Sequence, residues 1–133
     1  RIWAEKEIND KGIKFETRYG KGIGFETLND TVLKLSQKMG YVITVRKDPR
    51  KGYVRIKTLP SKWQMANGKW QIVDKENDID LTLAYEKLKK IDPHATWFLH
   101  VSKKMLLNGT PKNPKMIPTK LGLDDIIKVL EKI

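Results

Sequence analysis

The chain has 133 residues, 39% of them hydrophobic and 32% charged, which suits one folded domain rather than a disordered segment. It contains no cysteine, which excludes disulfides, zinc–cysteine centres and thiol nucleophiles. Lysine and arginine outnumber aspartate and glutamate by 27 to 16, and this net charge of +11 points to a polyanionic partner or to a lysine-rich surface that is merely solvated.

No apolar run approaches the ~20 residues that span a bilayer, and no signal-peptide pattern opens the chain. The expectation is a cytoplasmic protein with no membrane partner. The first residue is Arg1 rather than methionine, which fits a processed chain or a single domain cut from a longer protein, the latter being the expectation.

Residues 1–10 read as the end of a helix. Two strand-like runs follow at 13–18 and 23–27, separated by Tyr19, Gly20, Lys21 and Gly22, and a hairpin accounts for them. The glycines of 20–24 fit a turn better than a phosphate loop, because no strand-to-helix Walker pattern surrounds them. A helix is predicted over 30–39, capped by Asn29 or Asp30, with Leu28, Val32, Leu35 and Met39 at helical spacing and Gly40 at its end. Strands at 41–47 and 53–59 form the clearest hairpin, turning through Asp48, Pro49, Arg50, Lys51 and Gly52. On the second strand Tyr53, Arg55 and Lys57 share one face.

Residues 60–77 read as a loop carrying Trp63, Met65 and Trp70, with a short strand at 70–73. A helix after Asp80 runs to about Ile91, with Leu81, Ala84, Leu88 and Ile91 on one stripe. Strands at 96–101 and 105–108 flank a turn. Three prolines exclude regular structure over 109–119. A final helix at 123–133 buries Leu123, Ile126, Ile127, Leu130 and Ile133, with Asp124 and Asp125 complementing its N-terminal dipole. The order predicts an α/β or α+β fold: two layers, a mixed or antiparallel sheet and three to four helices.

Two cationic groups are candidate sites. Arg46, Lys47, Arg50, Lys51, Arg55 and Lys57 fall on the 41–59 hairpin, where paired strands bring cations together and Tyr53 offers a stacking face. The alternative is a charged edge hairpin that deters aggregation. Lys103 and Lys104 join Asn108, Gly109, Lys112, Asn113 and Lys115 in a proline-stiffened loop able to present amides and lysines to an anion. Its alternative is a plain connecting loop. His100 and Ser102 share a strand face with Phe98; the histidine reads first as a half-buried strand residue and second as a phosphate donor. Neither His94 and His100 nor the acidic run Asp74, Glu76, Asp78 and Asp80 has metal-site spacing. No nucleophilic triad motif is present.

Three segments in order, the hairpin 41–60 ending in Pro60, the run Trp97 to Ser102, and Asn108-Gly109 before the last helix, resemble the C-terminal lobe of DHH-superfamily phosphoesterases, the MYG exonuclease family and archaeal relatives. Lys103 and Lys104 stand where that family has glycine or another small residue. The resemblance implies a substrate-binding lobe for RNA, single-stranded DNA or a phosphorylated small molecule, not an independent catalyst. It implies a catalytic N-terminal half carrying the DHH triplet and its manganese or magnesium, with no cofactor in this chain, and it makes His100 and Arg55 phosphate contacts. The rival expectations are a free-standing enzyme using His100, and a protein-interaction module using Trp63 and Trp70.

Overall fold

The computed structural model describes residues 11–29, 31–60, 62–73, 78–109 and 116–133. The helix expected over 1–10 lies outside them. In chain order the elements are β1 (Ile13–Thr17), β2 (Gly20–Glu26), α1 (Thr31–Lys38), β3 (Ile43–Lys47), β4 (Val54–Thr58), β5 (Lys62–Ala66), β6 (Lys69–Val73), α2 (Thr82–Ile91), β7 (Trp97–Leu99), β8 (Met105–Asn108) and α3 (Leu123–Glu131). Six strands form one sheet in the order β1-β2-β3-β4-β8-β7, and β5 pairs with β6 separately. β2 and β3 run parallel, joined through α1, while the other pairs are antiparallel. The fold is mixed α+β.

The first hairpin is tighter than its glycines suggest. β2 starts at Gly20, so Gly22 and Gly24 are strand residues. A Cβ on Gly22 would lie 2.3 Å from the Phe15 ring, and one on Gly24 3.1 Å from Ile127 Cδ1. Close packing against Phe15 and α3, rather than a turn, requires glycine there.

Alternation along the strands then sorts the sheet into two faces. On one, Ile43, Val45, Val54, Ile56, Leu106 and Trp97 pack against Leu81, Ala84 and Leu88 beside α2 and Leu123, Ile126, Ile127 and Leu130 of α3. Val45, Ile56 and Leu106 sit opposite one another on three adjacent strands and are completely buried, each contributing about 1.5–3 kcal/mol. On the other face Ile23 and Phe25 of β2 pack under Val32 and Leu35 of α1 and Tyr41. That helix covers the β2–β3 end only. Over β4, β8 and β7 the same face meets solvent: Arg55, Lys57, Met105 and Leu107 are half-buried and Phe98 is exposed.

The last helix buries all five of its expected residues, and Asp125 accepts the Gly122 N–H at 3.1 Å. Asp80 accepts the Thr82 N–H at 2.8 Å just ahead of α2, whose N-cap position is Leu81, and Asn29 accepts the Thr31 N–H at 3.0 Å before α1. Leu28, Met39 and Ile91, expected on the buried stripes, are exposed instead. The first two lie beyond the ends of an eight-residue helix. The short strand expected at 70–73 is present as β6, but the loop read before it is corrected, since β5 pairs with β6 in a hairpin through Asn67 (φ 52°) and Gly68 (φ 75°). Two consecutive left-handed residues make the two-residue turn that asparagine–glycine favours.

Candidate nucleic-acid interface

Register places the candidate residues in rows across the uncovered half-face. Arg46 lies opposite Arg55, Arg55 opposite Leu107, and Leu107 opposite Phe98. One row along, Lys57 lies opposite Met105, whose carbonyl accepts the His100 N–H at 2.9 Å. On the far side Tyr53 covers Gly109, where an added Cβ would lie 2.5 Å from the ring. Rows are separated by about 6.8 Å and columns by about 4.8 Å. Arg55, Lys57, His100, Tyr53 and the exposed Phe98 therefore share one surface, while Arg46, on β3 at the helix-covered end, donates from its guanidinium to the Thr27 carbonyl at 3.2 Å. Asp48 and Arg46 also border the shallow depression beside Tyr53, Arg55 and Leu107, so part of the charge there is balanced.

Other expected contacts are placed differently. Lys47 points to the helix-covered side, where its ammonium donates to the Leu121 carbonyl at 2.5 Å. The Lys104 ammonium pairs with Asp78 at 2.8 Å and also donates to the Ile79 carbonyl. Asn108 is buried: its amide nitrogen donates to the Thr96 and Ile117 carbonyls at 2.9 and 3.2 Å, and its oxygen accepts the Thr119 N–H at 2.6 Å. Alternation turns Lys47 and Asn108 away from Arg55. Their contribution is to hold the chain around the face. Arg50 and Lys51 are exposed in the 48–52 turn, and Lys103 is exposed beyond β7. Lys112, Asn113 and Lys115 lie outside the described residues.

His100 is exposed rather than half-buried. The Ser102 N–H donates to its Nδ1 at 3.2 Å, and the Ser102 hydroxyl lies 2.9 Å from the same atom while accepting the Lys104 N–H. With Nδ1 accepting the Ser102 N–H, the ring's remaining donor position is Nε2. Lys57, Pro60, His100, Ser102 and Met105 line a cleft of about 360 Å³ with Gln37 of α1. Val101 is 86% exposed because β7 ends at Leu99 and the chain has already turned.

The Asp48 carboxylate sets the β3–β4 turn by accepting the Arg50 and Lys51 N–H groups at 2.7 and 3.0 Å. Burial works against its ionisation. The Lys51 and Arg50 amides and the charges of Arg46 and Lys51 outweigh that effect, holding the carboxyl below its ordinary range.

Phe98 is the site residue that sequence reasoning did not single out, although its shared face with His100 was visible. A larger cleft, of about 660 Å³, lies away from this face, beside β1 and α3. Glu26, Asp124 and Asp125 there oppose Lys11 and Lys128, a poor setting for a polyanion. Among the described residues no three histidine, aspartate or glutamate side chains converge as metal ligands, and no helix is long and apolar enough to cross a membrane. Compared with protein-family models, curated proteins and solved structures, the chain matches none.

Proposed function

We propose that the uncovered half-face of the sheet binds a polyanion, nucleic acid or a phosphorylated ligand, and that the chain serves as the substrate-binding lobe of a larger phosphoesterase. The observation that carries the reading is the row Arg46, Arg55, Leu107 and Phe98, with Lys57 and His100 in the next row. Cations on adjacent strands converge on phosphates without reorganising the backbone, so little ordering accompanies binding. His100, its Nδ1 held by the Ser102 N–H, offers its Nε2 at the edge of the cleft.

The DHH-like hairpin, histidine strand and Asn108-Gly109 junction support the lobe assignment. In that reading the chain's partner is its own N-terminal catalytic domain, which holds the manganese or magnesium. The metal chemistry belongs there, and this chain's residues bind and orient the substrate.

Fluorescence anisotropy with a labelled single-stranded RNA of about eight nucleotides, between roughly 50 and 200 mM salt, tests the proposal. Arg55 and Lys57 on the open half-face give a log–log slope of about −1.4, and Arg50, Lys51 and Lys103 at the rim carry it toward about −3.5. A flat salt response, or no binding, overturns it.

A further inference from the structure

The chemistry of the half-face discriminates among polyanions. Cations and hydrogen-bond donors suffice for a phosphate, which gains nothing from a phenyl ring. Yet Phe98 stands 46% exposed among them. One exposed apolar residue is ordinary on a protein surface. This one continues in register into Leu107, with Met105 in the adjoining row, and cations border the patch on the same side. An apolar floor flanked by positive charge matches a nucleobase joined to its phosphate.

We infer that Phe98 is a base-stacking platform and that the ligand is single-stranded nucleic acid with unpaired bases. The inference rests on the polyanion reading of this face. Arg55 lies two strands from Phe98, about 10 Å between backbones, a span that an arginine and a nucleotide bridge together. His100 lies one row along, two residues from Phe98, so a base stacked on the phenyl ring has a donor or cation to either side of its phosphate. A duplex keeps its base faces stacked internally and cannot offer one to the sheet. A small phosphorylated metabolite without an aromatic ring has no use for the platform. Stacking on one aromatic side chain is worth about 5- to 100-fold in affinity per base.

The test measures binding of an oligothymidine of about eight nucleotides, an abasic deoxyribose-phosphate oligomer of equal length and charge, and a matched duplex. The wild-type chain should favour the base-bearing single strand over the abasic one by about 5- to 100-fold, with the duplex no better than the abasic ligand. Phe98→Ala should erase that preference, bringing the base-bearing strand down to the affinity of the abasic one. Phe98→Tyr, which keeps the ring, should retain it. Equal, salt-dependent binding of the base-bearing and abasic strands overturns the stacking role and leaves the polyanion reading intact. So does a preference that survives Phe98→Ala, which would place base recognition elsewhere on the chain. Failure of every ligand to bind overturns both readings.

Discussion

Gly109→Ala probes the edge of the half-face where Tyr53 covers the backbone. Two separate costs are expected. The residue has φ +65°, a left-handed conformation that disfavours any Cβ by about 1–2 kcal/mol. The new methyl would lie 2.5 and 2.6 Å from Cδ1 and Cε1 of Tyr53, against ordinary carbon contacts near ~3.5 Å, so the ring must retreat by about 1 Å. Overpacking of this kind costs a further ~1–2 kcal/mol, for a total of about 2–4 kcal/mol in urea unfolding. Removing the ring separates the terms. In a Tyr53→Ala background Gly109→Ala should cost only the backbone part, giving a coupling of about 1–2 kcal/mol between the two positions. Additivity within ~0.5 kcal/mol would refute the reasoning, because the ring then does not rest on Gly109. A Gly109→Ala cost under ~1 kcal/mol would refute the left-handed conformation itself.

Asp48 contributes stability that depends on pH. Its folded acidity lies below the ordinary value of 3.8, so the stabilisation is complete above about pH 4 and is lost as pH falls through the folded value. Asp48→Asn should cost about 1 kcal/mol at neutral pH and flatten the acid limb of a stability–pH curve; an unchanged limb contradicts this. Asn108→Ala should destabilise by about 2–4 kcal/mol in urea unfolding, since it removes the donor to the Thr96 carbonyl and the acceptor of the Thr119 amide and leaves a cavity where the buried amide sat. Lys103 has φ +63°, and Lys103→Gly should raise stability by about 0.5–1 kcal/mol, net of the entropy glycine adds to the unfolded chain; a loss would show that the lysine side chain anchors the turn.

How much of this was legible in the sequence differs by element. The last helix was, residue for residue on its buried side, because a strong apolar stripe dictates which way a helix faces. The β5–β6 hairpin was missed although Asn67-Gly68 announces it, the scattered tryptophans and lysines having read as loop. The cation cluster was half legible. Alternation placed Arg55 and Lys57 together, and the same alternation on β3 separates Arg46 from Lys47, which donates to Leu121 on the other side. The half-face itself depends on β8 entering between β4 and β7. That pairing is set by packing against α2 and α3 and by the Asn108 hydrogen bonds, and no local pattern reveals it. Phe98 acquires Leu107 and Arg55 as neighbours only through it.

The account places the polyanion on one face rather than on basic charge at large. The most direct measurement compares the salt dependence of single-stranded RNA binding for two variants of equal charge loss. Arg55→Ala with Lys57→Ala removes two cations from the half-face. Lys90→Ala with Lys128→Ala removes two exposed cations from α2 and α3 on the helix-covered side. The account predicts that the first pair weakens binding and reduces the log–log slope by about 1.4, while the second leaves the slope within about 0.3 of wild type. Equal changes in both variants would mean that net charge alone attracts the ligand, and would contradict the site.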